Sequence, residues 1–309
     1  MTQPIVSISC IAYNQVSYIR QCLDGFLMQD CDFAFEVLIH DDASTDGTQD
    51  IIKEYQEKYP DIIKPIFQQE NQYSKGTRGM NILYNFPRAV GKYIALCEGD
   101  DYWTDPLKLQ KQVDYLERHP EYVLSCHNYT ILDFDEKTFK DGYEEYFVKD
   151  KDIIEIDEEM YLNHWLTKTL TVVLLNDPKI IEESLNIKRS RDMSLFYVYI
   201  RNGKAIFQNF YGGVYRKQIG GIHSSNNALQ AQQETLSILE ELYAKYNTKH
   251  LFNKIQLLKY SIIYLDYKKF STSKKVPLQK CLNLKIGFYK KFKLILSLYY
   301  NRFKKEFKS

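Results

Sequence analysis

The amino-acid sequence predicts an α/β protein: a mostly parallel sheet flanked by helices, followed by an α-helical C-terminal extension. Three observations carry that expectation. Continuous apolar runs at residues 5–12 and 93–97 have the length and β-favouring content of strands buried on both faces. They alternate with stretches of three- to four-residue apolar spacing, the pattern of helices laid against a parallel sheet. From Asn227 onward the pattern becomes wholly helical.

Taken in order, residues 5–12 form the first strand, broken by Tyr13-Asn14. Ser17 then caps a helix with Ile19, Leu23, Phe26 and Leu27 on one face. Residues 36–40 form a second strand that ends in Asp41-Asp42-Ala43-Ser44-Thr45-Asp46-Gly47-Thr48, a loop of carboxylates and hydroxyls suited to accepting hydrogen bonds from a ligand. A helix over 49–59 is closed by Pro60, a third strand covers 62–67, and residues 80–90 read as helix despite Pro87.

The strand at 93–97 then runs into Glu98-Gly99-Asp100-Asp101, three carboxylates within four residues. Gly99 is expected to turn the chain, and Asp105-Pro106 to supply the cap and first residue of a helix over 107–117. Like charges this close repel, so a strand end that collects them calls for a cation. A divalent metal with oxygen ligands is the natural one, and a metal-bound diphosphate its natural cargo. In parallel sheets ligands bind at the carboxyl ends of strands, where both acidic clusters fall.

Further along, 122–129 and 169–175 read as strands, with 133–159 between them charged and poorly periodic. Pro178 opens a helix, residues 192–200 form another that Gly203 ends, and 204–210 form a strand. The segment 212–225 holds four glycines with Arg216, Lys217 and His223 and reads as a loop. Helices are expected over 228–246 and 251–267.

The formal net charge of +1 hides an asymmetry. From Leu251 onward fifteen Lys or Arg face two acids, so the preceding 250 residues carry a net −12. A basic, aromatic-rich tail on an acidic body suits an anionic surface. Apolar residues at helical spacing among the lysines of 288–309 suit either a membrane interface or a helix packed on the acidic body, its lysines answering that body's −12, and nucleic acid is not the expected partner. The six cysteines contain no Cys-x-x-Cys pair and read as small buried hydrophobes of a reducing compartment. With no signal peptide and no bilayer-length apolar run in view, the expected location is cytoplasmic, with peripheral contact at the inner face of the plasma membrane.

Val6-Ser7-Ile8-Ser9-Cys10-Ile11-Ala12-Tyr13-Asn14, the Asp41-to-Thr48 loop and the Glu-Gly-Asp-Asp-Tyr-Trp motif at 98–103 together resemble the family 2 inverting nucleotide-sugar glycosyltransferases, in the form found in bacterial surface-polysaccharide enzymes. The resemblance is strong over residues 5 to 130 and weaker to 225. It implies a GT-A fold over 1–225, with a nucleotide-sugar half at 1–130, an acceptor half at 131–225, and an extension at 226–309. It further implies that Ala12, Tyr13, Asp41 and Asp42 hold the nucleoside, with Arg78 nearby as a phosphate or base contact. Glu98 and Asp100 would bind the donor, while Asp100 and Asp101 would hold Mn²⁺ or Mg²⁺. Asp192, before the helix that Gly203 closes, would be the general base, with Arg191 where the family has Glu or Gly. Arg216 and His223 would close over the diphosphate.

The activity so implied is transfer of a sugar, with inversion, from a UDP-sugar-like donor to a hydroxyl of a glycan or lipid-linked saccharide. Two other classes remain in view. A nucleotidyltransferase would carry a Gly- and Lys-bearing loop after the first strand, where this chain has Tyr13-Asn14-Gln15-Val16. A non-enzymatic nucleotide- or anionic-surface-binding module would have no use for carboxylates at Asp41, Asp42, Asp100, Asp101 and Asp192.

Overall fold

Strands β1 (Val6–Ala12), β2 (Phe35–Asp41), β3 (Ile63–Phe67) and β4 (Tyr93–Glu98) lie in the order β3-β2-β1-β4, every neighbouring pair parallel. Parallel neighbours need crossovers. Helices α1 (Ile19–Leu27) and α2 (Thr48–Lys58) provide two of them, each burying an apolar stripe. The register sets Asp41 opposite Ala12 and Glu98 opposite Ile11, so both acidic strand ends reach the same edge of the sheet. The computed structural model describes residues 3–133, 138–142, 151–217, 228–270, 281–285, 287, 291 and 295. The chain divides into two units, residues 1–219 and 220–309.

The third crossover departs from the α-helix expected over 80–90. A wide π-type turn covers Asn81–Asn85 and a 3-10 turn Phe86–Arg88, because Pro87 lacks the N–H that an α-helix would need. Polar groups dock it on the sheet. The buried Asn85 amide donates to Ser9 Oγ and to the carbonyls of Cys10 and Leu38, at 3.0–3.1 Å.

After β4 come β5 (Tyr102–Trp103), α3 (Lys108–Arg118), β6 (Tyr122–Asp133), β7 (Thr138–Asp141), β8 (Ile153–Ile156), α4 (Glu158–His164), β9 (Val173–Leu175), α5 (Pro178–Leu185), α6 (Asp192–Asn202) and β10 (Lys204–Lys217). Among the described residues they complete a ten-stranded sheet, β3-β2-β1-β4-β9-β6-β10-β5, with β7 on β6 and β8 on β10. Strand β9 runs antiparallel to both β4 and β6, so the sheet is mixed. The strand expected over 169–175 is shorter than its apolar run, since Thr169–Thr171 forms a 3-10 turn.

Strand β10 extends through half of the segment read from sequence as a glycine-rich loop. Register shifts near Gln208 and Tyr211 bend it, and Gly213-Val214 pair with Trp103-Tyr102. Gly213 is required there, because a Cβ would lie 2.8 Å from both the Tyr102 carbonyl oxygen and Leu170 Cδ1. Two helix starts also differ from the expected caps. Helix α1 follows Tyr18 without a side-chain cap, and Asp105 accepts the Leu107 N–H in a turn that ends before α3. The six cysteines are all unpaired, and all but Cys31 are buried.

In the second unit, α7 (Ala228–Tyr246) and α8 (Lys249–Phe270) form a helical pair. Asn247, at a φ of 50°, ends α7 in the left-handed region that Asn tolerates, and Thr248 Oγ1 caps α8 through the Leu251 N–H at 3.1 Å. Tyr243 packs on Phe252, and Lys259 pairs with Glu240. Most of the basic segment 288–309 lies outside the described residues. No helix of the described residues is long and apolar enough to cross a membrane.

Candidate active site

The loops after β1 and β2 are laced together. The Asn14 N–H donates to Ser44 Oγ, Gln15 N–H to Thr48 Oγ1, and Val16 N–H to Asp46 Oδ2, at 2.8–2.9 Å. The Asp42 N–H donates to the Ala12 carbonyl at 2.9 Å. Its carboxylate accepts the N–H groups of Gln72 (2.7 Å) and Tyr73 (3.0 Å), one on each oxygen, which pins the segment after β3. Asp41 is buried beside it. Its Oδ1 accepts from Ser44 N–H and Gln49 Nε2, while Oδ2 is buried without a partner among the described residues. Tyr13 is 46 % exposed at the same rim. The Arg78 guanidinium stacks 4.0 Å from the Tyr73 ring and donates to the carbonyls of Tyr73 and Thr77, so it braces its own loop.

At the end of β4 the chain folds Glu98, Asp100 and Asp101 onto one point, with one carboxylate oxygen from each lying within 4.8 Å of the others. Gly99 contributes space, not a left-handed turn: its φ is not positive, and a Cβ would strike Gln15 Oε1 and Ile19. Burial, then the charges of Asp100 and Asp192, push the Glu98 carboxyl up to about 8. Burial raises Asp100 as well. Asp101 is held well above the usual carboxylate range by burial, then by Asp100 and Glu98. Carboxylates forced together this way favour a bound cation, and an all-oxygen set suits a hard divalent ion.

The bend in β10 supplies the floor. The Arg216 N–H donates to Asp101 Oδ1 at 2.8 Å, and its guanidinium donates to the Asp100 carbonyl (2.6 Å) and to Gln21 Oε1. The guanidinium also lies 4.2 Å from the Tyr102 ring centroid, with the residue 5 % exposed. Arg216 is thus committed to the acidic loop from below. Its neighbour Tyr215 points the other way: burial, then Asp101, Glu98, Asp100 and Asp192, push its hydroxyl up to about 12. His223 lies outside the described residues.

Asp192 is the first residue of α6, after Arg191, and its Oδ1 accepts the Met193 N–H at 2.8 Å. The Tyr161 hydroxyl donates to the Met193 carbonyl at 2.7 Å, which anchors the helix start. Asp192 is close enough to Glu98 and Tyr215 for its charge to act on both. Trp103, by contrast, faces the core: it is 1 % exposed, donates from Nε1 to the Leu170 carbonyl at 2.8 Å, and meets Phe26 edge-on.

Lys168 has no signal in the sequence, and Tyr215, beside Arg216 in the late segment that resembles the family's, has no role of its own from that resemblance. Lys168 Nζ lies 4.6 Å from the Tyr215 ring centroid, and its charge favours the ionised form of Glu98. A lysine seventy residues from the acidic motif carries no local signal. Tyr215 sat in a segment read as loop, where the alternation of a strand was masked by its glycines.

The family model for glycosyl transferase family 2 matches residues 7–175, more than half of the chain. The uncharacterized protein Rv1520 of Mycobacterium tuberculosis is 50 % identical over 131 residues, 41 % of this chain and 36 % of that protein. Escherichia coli WfaP, a UDP-Glc:alpha-D-GlcNAc-diphosphoundecaprenol beta-1,3-glucosyltransferase, is 33 % identical over 131 residues, 42 % of this chain and 48 % of that enzyme. The matched stretch thus spans between about a third and a half of the length of these curated relatives. Among solved structures, S. aureus TarS 1–349 in complex with UDP-GlcNAc superposes with a TM-score of 0.64 at 18 % identity, covering 97 % of this chain and 87 % of that one. That likeness is one of fold, the GT-A arrangement of a mostly parallel sheet between helices. On the family match and the fold together, this chain belongs to glycosyl transferase family 2.

Proposed function

We propose that this protein transfers a sugar from a nucleotide-diphosphate donor, a UDP-sugar, to a hydroxyl of a glycan or lipid-linked acceptor with inversion at the anomeric carbon. The observation that carries the reading is the convergence of Glu98, Asp100 and Asp101 within 4.8 Å at the rim that also bears Asp192. Asp101 and Asp100 would hold Mn²⁺ or Mg²⁺, with Glu98 beside them toward the donor. The ion, when bound, neutralises charge on the departing diphosphate.

Asp192 is the base in this reading. Its carboxylate takes the acceptor's hydroxyl proton as the acceptor oxygen bonds to the anomeric carbon. The bond from that carbon to the phosphate oxygen breaks, and its electron pair leaves with the nucleoside diphosphate. Asp41, whose Oδ2 is buried and unpartnered, would accept from the base or ribose, while Ala12 and Tyr13 would line that end. Asp42 and Arg78 would shape the nucleoside pocket through the loop they brace. Arg216 would hold the acidic loop in place beneath the diphosphate, and His223 stays a diphosphate contact only as the family resemblance implies it. Lipid-linked acceptors, peripheral contact of the basic extension with the inner membrane face and a role in surface-polysaccharide synthesis complete the proposal. WfaP, whose name states a diphosphoundecaprenol acceptor, supports that direction.

The test is a panel of nucleotide sugars assayed for hydrolysis with and without Mn²⁺, alongside thermal shift with UDP and GDP. The reading requires metal-dependent hydrolysis of at least one donor and a metal-dependent gain in melting temperature. A protein that shows neither is not this enzyme.

A further inference from the structure

Lys168 is the feature of the rim that the proposed chemistry has not used. It precedes the 3-10 turn Thr169–Thr171, whose three side chains are buried and which packs against β4, β6 and β10. Thr171 Oγ1 accepts the Lys168 N–H at 3.3 Å and donates to the Lys168 carbonyl at 2.8 Å, so the backbone of this lysine is fixed. Its ammonium is held only by the face of Tyr215, and among the described residues no hydrogen bond or ion pair engages Nζ. The contrast with Arg216 is chemical: that guanidinium is already spent on Asp100 and Gln21.

Four carboxylates, Glu98, Asp100, Asp101 and Asp192, act on the Tyr215 hydroxyl that this lysine covers. One divalent ion cannot balance four carboxylates and a diphosphate together. A cation already on the rim, with all three N–H donors available, matches the remaining charge as a compact phosphate ligand. Its place beside Glu98, the carboxylate on which Asp192's charge also acts, sets it at the sugar-bearing end of the donor.

We propose that Lys168 binds the β-phosphate of the nucleotide-diphosphate donor and stabilises the negative charge that grows there as the sugar leaves. The inference rests on the reading of the rim as a nucleotide-diphosphate site. Tyr215 acts as the platform that aims the ammonium, and its hydroxyl is a second donor toward the same oxygens.

The experiment is calorimetric titration of the full chain in saturating Mn²⁺ with UDP, UMP, GDP and GMP. Wild type is compared with Lys168→Met, Lys168→Gln and Lys168→Arg, each checked for an unchanged melting temperature. The wild type is expected to prefer the diphosphate of one base over its monophosphate. Lys168→Met and Lys168→Gln are expected to lose about 10-fold or more of diphosphate affinity with monophosphate affinity unchanged, the scale of one hydrogen bond to a charged group. Lys168→Arg is expected to restore most of it. Equal weakening of mono- and diphosphate, or a change in Mn²⁺ affinity alone, would make Lys168 a counter-ion of the acidic cluster and overturn the proposal. Unchanged diphosphate binding in Lys168→Gln would also overturn it while leaving the glycosyltransferase reading intact. A wild type that binds none of the four nucleotides would remove both.

Discussion

The acidic ends of β2 and β4 reach the same sheet edge on either side of β1, yet their carboxylates do different work. At the end of β2 the two oxygens of Asp42 each accept a backbone N–H, from Gln72 and Tyr73, and Asp41 Oδ1 accepts two more donors. At the end of β4 Asp101 Oδ1 accepts the Arg216 N–H, and Glu98 lies beside the charges of Asp100 and Asp192. In the first cluster Asp42 is satisfied by backbone donors and organises a loop, and Asp41 keeps one bare oxygen. The second is crowded, buried and short of positive charge, the condition for binding a cation. Asp42 and the β4 cluster therefore separate loop-holding from cation-binding between two motifs that look alike on paper.

The sharpest break comes from Asp101→Asn, which keeps an acceptor for the Arg216 N–H and removes only the charge. Mn²⁺-dependent binding of nucleotide diphosphate should disappear and turnover fall by about three orders of magnitude or more, with folding retained. Calorimetry and an activity assay on the same preparation check both. Next in size, Asp192→Asn should lower transfer by about two to four orders of magnitude, the range of a lost general base, with metal and donor binding unchanged. Near-normal transfer would leave Asp192 as a helix-start residue, and a retained anomeric configuration in the wild-type product would exclude single displacement.

Asp42→Ala tests the other side of the contrast. It strands two backbone donors and should cost about 2–4 kcal/mol of unfolding free energy in urea melts, while leaving Mn²⁺ affinity nearly unchanged. The same distinction applies to buried cations. Arg216 is satisfied, but Lys108 is fully buried with, among the described residues, no partner for Nζ beyond the Trp103 ring at 3.8 Å, and burial pushes its ammonium down to about 7. Because the folded protein prefers the neutral amine, wild-type stability should rise between pH 7 and about 10.4, the value of an unperturbed lysine, and be lost as pH falls through 7. Lys108→Met should flatten that dependence and add about 1–3 kcal/mol at pH 7.

The smallest effect belongs to Glu98→Gln. With its folded carboxyl raised to about 8, metal-free wild type binds the proton more tightly folded than unfolded. Its stability should therefore fall as pH rises from about 4.3, the ordinary Glu value, to 8. The variant should lack that fall and melt about 2–4 °C higher at pH 8 without metal. Adding Mn²⁺ should reverse the order, because only the wild type then gains the full set of oxygen ligands.

Much of this was legible in the chain itself. Apolar runs with β-branched residues located β1, β2, β3 and β4 within a residue or so, and helical spacing located α1, α2, α7 and α8. The position of Glu98 to Asp101 at a strand end followed from the run that precedes it. These are short-range features, set by side-chain periodicity and by turn chemistry within a few residues.

What the tertiary structure alone decided involves partners far apart in sequence. Residue type marks Asp41 and Asp42 as equals, and only the approach of 72–73 shows that Asp42 is saturated while Asp41 keeps a bare oxygen. Arg216 reads as a mobile phosphate ligand until the bend of β10 carries it 115 residues back to Asp101, beneath the loop it was expected to face from above. Trp103 turned inward because Leu170 and Phe26 complete its pocket. Lys168 reached the acidic rim through a turn anchored between β4, β6 and β10. The sequence determined which groups could carry charge at the strand ends. Packing and register determined which of those charges the protein neutralised itself and which it left for a ligand, because a carboxylate's chemistry depends on the donors that reach it and those donors come from elsewhere in the chain.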